Sequence, residues 1–392
     1  MFDYIIVGGG TAGAILANRL SENPEHQVLL IEAGKKDRKS EIRIPAAFSK
    51  LFKTELDWEY YSTPQEHADH RELYLPRGKM LGGCSNMNAM IYIRGNHEDY
   101  NHWSELGNQG WSYEEVLPYF KKSEVNENGE DTYHGADGPM NVSNLVNPFP
   151  ISKQLSRAAE QAGYAKNDDF NGEKQEGFGL YQVNQKNGRR VSTAYAYLRP
   201  IRNRKNLTIF TETLVRRIII ENGVATGVEY QVPNYVKVAK AKKEVILCAG
   251  AYNSPQLLML SGVGEKDMLN AAGVSVKHDL PGVGKNLQDH IIFPMVFHNR
   301  DKNTLEHAES LGNLVNYLIW GEGALSSNIA EGGGFVHTKP GLRGPDIQYH
   351  FAPGFFMNHG FDNPKHGHGF SIGPTLLQPM SIGEVRIESN SS

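Results

Sequence analysis

Cysteine is scarce in this chain: only Cys84 and Cys248 occur among 392 residues, and they form no CxxC pair. A disulfide-stapled scaffold is excluded, and a reducing, cytoplasmic compartment fits best. No apolar run approaches the ~18 residues needed to span a bilayer. The chain opens directly on a core strand instead of a secretory leader. Its 40 basic and 44 acidic residues are spread along the sequence, for a formal charge of -4, and no basic stripe tracks a phosphate backbone. Nucleic acid is therefore not a favoured partner. Repeats and low-complexity tracts are absent as well. What is left is ordinary globular composition, 39% hydrophobic and 21% charged, with 41 glycines. A chain of this length exceeds what one compact core organises, so two domains, or one with a large insertion, are expected.

The glycines are concentrated where they carry chemistry. An apolar strand over 3–7 runs into Gly8-Gly9-Gly10-Thr11-Ala12-Gly13 and then into a helix from Ala14 to Leu20. Gly8 permits a tight turn, Gly10 lets a pyrophosphate approach the helix N-terminus, and Gly13 lets helix and strand pack closely. A second apolar strand over 27–31 ends in Glu32, nineteen residues past Gly13. A carboxylate there can accept both hydroxyls of an adenosine ribose and repels a 2′-phosphate. Strand, turn, helix and acid together predict dinucleotide binding, with FAD and NAD both open.

Residues 33–56 and the aromatics Trp58, Tyr60 and Tyr61 lack clean periodicity and read as a surface excursion with local core. The run from Arg77 through Gly82-Gly83-Cys84-Ser85-Asn86-Met87-Asn88 to Gly95 makes a loop whose backbone can touch a planar ring or a phosphate. Helical patterns follow over 97–124, with a Ser112–Glu115 capping box and a kink threatened at Pro118, and over 151–162, ended by Gly163. Residues 168–190 read as irregular connection and 192–199 as helix. Strands are expected over 207–213 and 215–220, then an Asn222-Gly223 hairpin into 224–231, a buried strand over 245–248 and a helix over 254–260. Short strands over 291–297, 334–337, 347–351, 371–377 and 384–387 predict a second, mostly β domain.

Two of these runs resemble signatures of the glucose-methanol-choline family of FAD-dependent alcohol oxidoreductases. One is the Gly78 to Gly95 stretch. The other runs Gly250-Ala251-Tyr252-Asn253-Ser254-Pro255-Gln256-Leu257-Leu258-Met259-Leu260-Ser261-Gly262-Val263-Gly264. Family-like runs also stand at 190–194, 283–290 and 331–336, so the likeness covers essentially the whole chain. It is closest to the bacterial choline dehydrogenase and aliphatic alcohol dehydrogenase branch, chiefly through residues 88–95.

The resemblance implies an α/β fold: a Rossmann-like FAD-binding domain from a discontinuous chain, plus a mostly antiparallel β substrate domain with helices. Residues 1–150 and 191–290 would form the FAD domain, 151–190 a substrate-domain excursion, and 291–392 the substrate-binding β domain, incomplete. Gly8, Gly10 and Gly13 would hold the pyrophosphate and Glu32 the ribose. Gly82, Gly83, Asn86 and Asn88 would lie along the pyrophosphate and isoalloxazine, with the Val215 backbone beside the adenine. Where some members carry a flavin-linking His, this chain has Met87, so non-covalent FAD is expected.

The implied reaction takes a primary alcohol to the aldehyde by hydride transfer to flavin N5, as a dehydrogenase in preference to an oxidase. The family's catalytic His belongs to a C-terminal segment expected beyond Ser392, so the catalytic residue is unassigned. His290, His337 and His350 are the remaining candidates, each with a plainer reading as a packed or surface histidine. Glu331 and His350 are expected to wall the substrate cavity. His359, His366 and His368 lack regular metal-ligand spacing, and no metal is expected. A quinone acceptor and peripheral membrane association follow only by analogy. Three other readings compete: a non-catalytic flavin-binding fragment or half of a split enzyme, an NAD-dependent dehydrogenase, and a flavin-bound lyase.

Overall fold

The computed structural model describes residues 1–308, 310–364 and 367–391, and its described residues form two six-stranded sheets with smaller ladders. The first sheet grows from β1 (Phe2–Val7) and β2 (Val28–Ile31), joined through helix α1 (Thr11–Leu20). Both strands are apolar on both faces because both faces are covered. Ile5, Val7, Leu29 and Ile31 face a cluster with Val215, Ile218 and Val228, while Ile6, Val28 and Leu30 pack against Ala14 and Ala17 of α1. Each such buried Ile or Leu stabilises the fold by roughly 1.5–3 kcal/mol.

The helical stretch expected over 97–124 is two helices, α2 (His97–Glu105) and α3 (Tyr113–Ser123). Gly107 and Gly110 break it by taking φ of 99° and 84°. Ser112 then starts α3 afresh, its N–H and hydroxyl donating to the Glu115 carboxylate at 3.0 and 2.6 Å. Helix α4 (Pro150–Gln161) follows and leads to strand β3 (Gly177–Leu180), inside the stretch read as irregular. Glycine obscured it: a Cβ at Gly179 would stand 1.8 Å from the Asn167 carbonyl oxygen, so close packing, not β propensity, makes this strand. The helix expected over 192–199 is a π-helical turn, Ala194–Leu198.

The first sheet is completed by β4 (Leu207–Phe210), β5 (Leu214–Glu221), β6 (Val224–Val232) and β7 (Tyr235–Leu247), in the order β4-β2-β1-β7-β6-β5. β4, β2, β1 and β7 run parallel, and β5 and β6 are antiparallel additions. Strand β7 serves both halves. Its first residues pair with β6 (Val232↔Tyr235 to Gly227↔Lys240) and its last with β1 (Ile5↔Val245, Val7↔Leu247). Only the apolar end was expected, because 235–244 interleaves lysines with small and apolar residues and its first turn-proximal residues are exposed. Helices α5 (Gly250–Leu260) and α6 (Lys266–Ala271) follow.

The second sheet uses β8 (Ile291–Ile292) and β9 (Met295–His298), then, after helix α7 (Leu311–Trp320), β10 (Gly332–Val336), β11 (Ile347–Ala352) and β12 (Gly369–Leu376). Its order is β3-β10-β11-β12, with β8 and β9 both paired to the outer edge of β12, and every pairing is antiparallel. No strand forms over 384–387. Val385 and Ile387 pack against the cluster of Met259, Met268 and Leu269, and the Val385 N–H donates to the Gly284 carbonyl at 2.7 Å.

Candidate active site

The glycine turn opens onto a cavity of about 700 Å³ at the carboxyl ends of β1, β2 and β7. Gly8 sits at φ +102°, and a Cβ there would meet the Cys248 carbonyl oxygen at 2.4 Å. At Gly13 a Cβ would fall 1.9 Å from the Gly8 oxygen, which fixes how closely α1 crosses β1. Gly10 differs from both: a Cβ there would stand in the cavity, no nearer than 4.0 Å to any other protein atom recorded around it. The first N–H groups of α1 have no intrahelical partners and carry the positive end of its dipole.

Glu32 stands on the same wall, 6% exposed. Its Oε2 accepts from the Gly9 N–H at 2.8 Å and its Oε1 from the Gly34 N–H at 2.7 Å. Burial raises its pKa, opposed by those two backbone donors. Each oxygen keeps acceptor capacity for a hydroxyl. Val215 also lines this cavity, beside an irregularity in the β5–β6 register between Val215 and Arg217.

The opposite wall comes from the second signature and from the aromatics read as local core. Tyr252 and Asn253, in the first turn of α5, line it together with Trp58 and Tyr60. Trp58 stacks on Tyr60 at 5.6 Å, and the Tyr60 hydroxyl donates to Asn253 Oδ1 at 2.7 Å. Arg77 caps the Tyr252 ring at 4.6 Å. Nothing in the aromatic spacing pointed to this wall; the glycine-rich signature at 250–264 was its only sequence signal.

The loop from Gly82 to Asn88 divides its residues between two cavities. The Gly82 N–H donates to the Gly9 oxygen at 2.7 Å, tying the two glycine turns together. Gly83 lines the first cavity and Asn88 a second one of about 380 Å³, while Cys84 and Arg77 line both. Gly82 and Asn86 are recorded on neither wall. Asn86 is fully buried, donating to the Leu81 oxygen at 2.7 Å, and its Oδ1 has no partner within the chain. Arg190 holds Asn88, donating to its Oδ1 at 2.8 Å and to its carbonyl at 2.7 Å. Burial lowers the Arg190 pKa to about 9. Met87 lines the second cavity.

His350 also lines that second cavity, and burial, reinforced by His290, lowers its pKa to about 4, so the ring is neutral. His290 is exposed, and His337 lies on neither wall, 3.2 Å from Glu176. His359 joins the wall between Phe52 and Tyr74. His368 pairs with the Thr304 hydroxyl at 2.7 Å, and His366 lies outside the described residues. Among the described residues no three His, Cys, Asp or Glu side chains converge as a metal site. Glu331, expected on the substrate wall, is recorded on neither cavity. It is fully buried and accepts from the Ser152 hydroxyl at 2.6 Å, the Phe149 N–H at 2.9 Å and the Ser327 hydroxyl at 2.7 Å.

A charged network missed in the sequence lies away from both walls. Arg94 donates to Glu124 at 2.9 Å, and His134 bridges Glu124 and Asp169 at 3.0 Å each. Burial opposes the His134 cation, but the hydrogen bonds to Asp169 and Glu124 outweigh it and raise the pKa to about 9.

Comparison with known proteins agrees with this arrangement. Residues 2–292 match the family model described as GMC oxidoreductase. An oxygen-dependent choline dehydrogenase of Photobacterium profundum is 42% identical over 398 residues, covering 99% of this chain and 69% of that protein. An alcohol dehydrogenase (acceptor) of Pseudomonas putida is 42% identical over 398 residues, covering 99% of this chain and 72% of its own length. Among solved structures, the pyridoxine 4-oxidase from Mesorbium loti superposes with a TM-score of 0.90 at 32% identity, over 100% of this chain and 74% of that one.

Proposed function

This chain belongs to the GMC oxidoreductase family, and on that premise we propose that it uses non-covalently held FAD to oxidise a primary alcohol to the aldehyde, as a dehydrogenase. The observation that carries this reading is the meeting of two cavities at Arg77 and Cys84, one built round the glycine turn and Glu32, the other round His350. The chemistry that FAD would supply there is an acceptor, its N5, for a hydride from the alcohol carbon.

The residues present fit that cofactor. The open face of Gly10 and the free N–H groups of α1 suit the pyrophosphate, and Glu32 suits the ribose hydroxyls. The Val215 backbone would border the adenine. Gly82, Gly83 and Asn88 would shape the loop under the ring system, with Asn86 bracing that loop from behind and offering its unpartnered Oδ1. Met87 has no ring nitrogen to alkylate, which supports non-covalent attachment. The neutral His350 can orient the alcohol hydroxyl by hydrogen bonding. With a pKa near 4 it is too weak a base to remove the proton at neutral pH, so the catalytic base stays unassigned.

In this reading residues 1–150 and 191–290 serve the cofactor, and 151–190 with 291–392 serve the substrate. That division is supported by β3 joining the second sheet. A quinone is the proposed electron acceptor; the Pseudomonas relative is named for an unspecified acceptor and the Photobacterium relative for oxygen. No helix of the described residues is long and apolar enough to cross a membrane. Peripheral attachment to the inner face of the cell membrane is supported by exposed Leu318, Ile319 and Trp320 on α7, with Arg43, Lys186 and Arg199 beside them.

The test is the visible spectrum of the FAD-loaded chain during anaerobic addition of a panel of primary alcohols. Bleaching of the flavin bands is expected. Flavin that stays oxidised across the panel contradicts alcohol oxidation and favours a flavin-binding protein without turnover.

A further inference from the structure

A cavity of about 600 Å³ shares no lining residue with the two described above, and Arg43, Lys186, Arg189, Arg190 and Arg199 stand on its wall. Among the described residues no carboxylate lines it, and no ion pair holds any of the five cations. The nearby negative charge is small. Asp37 feels Arg43 and Arg199, but it lies off the wall and burial raises its pKa. Glu41 and Glu322, sequence neighbours of wall residues, are also off it. The C-terminal end of α7, which reaches the wall at Trp320, brings about half a negative charge at most. A cationic excess remains.

Two of the cations are set against each other. Residues 185–190 form a hairpin whose tip residues Asn187 and Gly188 take φ of 51° and 66°, as a two-residue turn demands. The register pairs Gln185 with Arg190 and Lys186 with Arg189. The first pair is buried and the second exposed, so an ammonium and a guanidinium stand on directly opposed residues, which costs stability unless an anion compensates it. The hairpin cannot swing away. A Cβ at Gly188 would stand 1.7 Å from the Gly321 carbonyl oxygen, so the tip is pressed onto the end of α7.

Arg190 is 4% exposed. Besides Asn88 it donates to the Ile42 carbonyl at 3.0 Å and the Ser85 carbonyl at 3.1 Å, so all its acceptors are uncharged. A buried cation with only neutral partners lacks a counter-charge. Ring surface is present on the same wall: Arg199 covers Tyr195 at 5.1 Å, while Trp320 is exposed and uncovered by any cation recorded near it.

We infer that this cavity binds a di- or triphosphate ester, its phosphates held by Arg43, Lys186, Arg189 and Arg199 and its organic part laid against Trp320. Guanidinium and ammonium groups are the donors that phosphate oxygens bind best. A lipid phosphodiester brings a single charge to this wall, whereas an oligophosphate brings several. The site stands whether or not the alcohol-oxidising reading does, because none of its wall residues belongs to that machinery except Arg190, which is left unchanged in the test.

The test is calorimetric titration of the FAD-loaded chain, its nucleotide cavity filled, by ATP, tripolyphosphate and sulfate at one ionic strength and without magnesium. ATP and tripolyphosphate are expected to bind once per chain, about tenfold or more tighter than sulfate. The double variant Lys186→Gln/Arg189→Gln should weaken both roughly 10- to 100-fold. Freed of the opposed charges, it should melt no lower than wild type. Because two changes in one hairpin can disturb it, Arg43→Gln is the second variant. It lies on another segment, its backbone carbonyl keeps the bonds from Arg190 and Tyr317, and it should weaken both ligands about tenfold. Sulfate binding as tightly as tripolyphosphate, or wild-type affinity in either variant, overturns the proposal. So does adsorption to phosphatidylglycerol vesicles with neither soluble phosphate bound, which would give these cations to a bilayer. A chain that takes up no FAD, read from the flavin spectrum, overturns the cofactor reading instead; the titration then runs on the apo chain, where the two variants still locate the binding.

Discussion

The two cavities that meet at Arg77 and Cys84 are made of different material. On the nucleotide side the decisive contacts are backbone: the N–H groups of α1, the Gly9 and Gly34 N–H groups on Glu32, and glycines that bring turn against turn. On the alcohol side they are side chains drawn from distant segments, with Phe48, Met87, Ile329, His350 and Phe356 round one space. A backbone-built site tolerates almost no added atom, whereas a side-chain-built site can be reshaped one residue at a time. The first kind suits an invariant cofactor and the second a substrate that differs between relatives.

The strongest way to break the nucleotide side is Gly13→Ala. Its methyl would lie 1.9 Å from the Gly8 oxygen, so either the strand or the helix must shift. We expect a loss of about 3 kcal/mol or more in unfolding free energy and no FAD retention, read by thermal melting and by absorbance after gel filtration. An Ala variant that melts and binds FAD like wild type would remove the close-packing account of that glycine.

The matching change on the alcohol side is Glu331→Ala. It strands two hydroxyls and the Phe149 N–H in a buried setting and should cost about 2–3 kcal/mol in denaturant unfolding. FAD affinity should stay within threefold of wild type, because no oxygen of Glu331 is recorded on the nucleotide wall. A variant that loses FAD as severely as Gly13→Ala would erase the contrast between the two sides.

A smaller effect comes from pH. His134 gains protons on folding, since its pKa stands near 9 against an ordinary 6.5. Its contribution is therefore fully present below about pH 6.5 and fades as pH rises through 9. Asp169 is partly exposed, so the amount is about 2 kcal/mol after allowance for screening. Between pH 6.5 and 10 unfolding free energy should fall by about that much more in wild type than in His134→Gln. FAD affinity is expected to change little, because the network lines neither cavity; a pH slope preserved in His134→Gln would place its origin elsewhere.

The difference in material also explains what could be read in advance. Gly8, Gly10, Gly13 and Glu32 were legible because a strand, a turn and a helix close in sequence fix their relation through backbone geometry alone. The parallel core strands were legible for the same reason, as short apolar runs covered on both faces. Strand β3 was not, because its glycines suppress propensity and its partner residues on β10 lie 152 to 158 positions on. Most of β7 was hidden by its lysines. Trp58 and Tyr60 read as local core because nothing local says that α5 lies across the cavity from them. Glu331 is expected from the sequence on the substrate wall, but the hydroxyls that claim it come from Ser152 and Ser327, one of them far away in sequence.

The measurement closest to the central claim is a competition between cofactors: the chain incubated with equimolar FAD and NAD, passed through gel filtration, and read by absorption and by chemical analysis of the released nucleotide. A glycine-turn cavity closed by Gly83, Cys84 and the first turn of α5 predicts flavin bands that travel with the protein, close to one FAD per chain and no NAD. A colourless protein carrying NAD would contradict it.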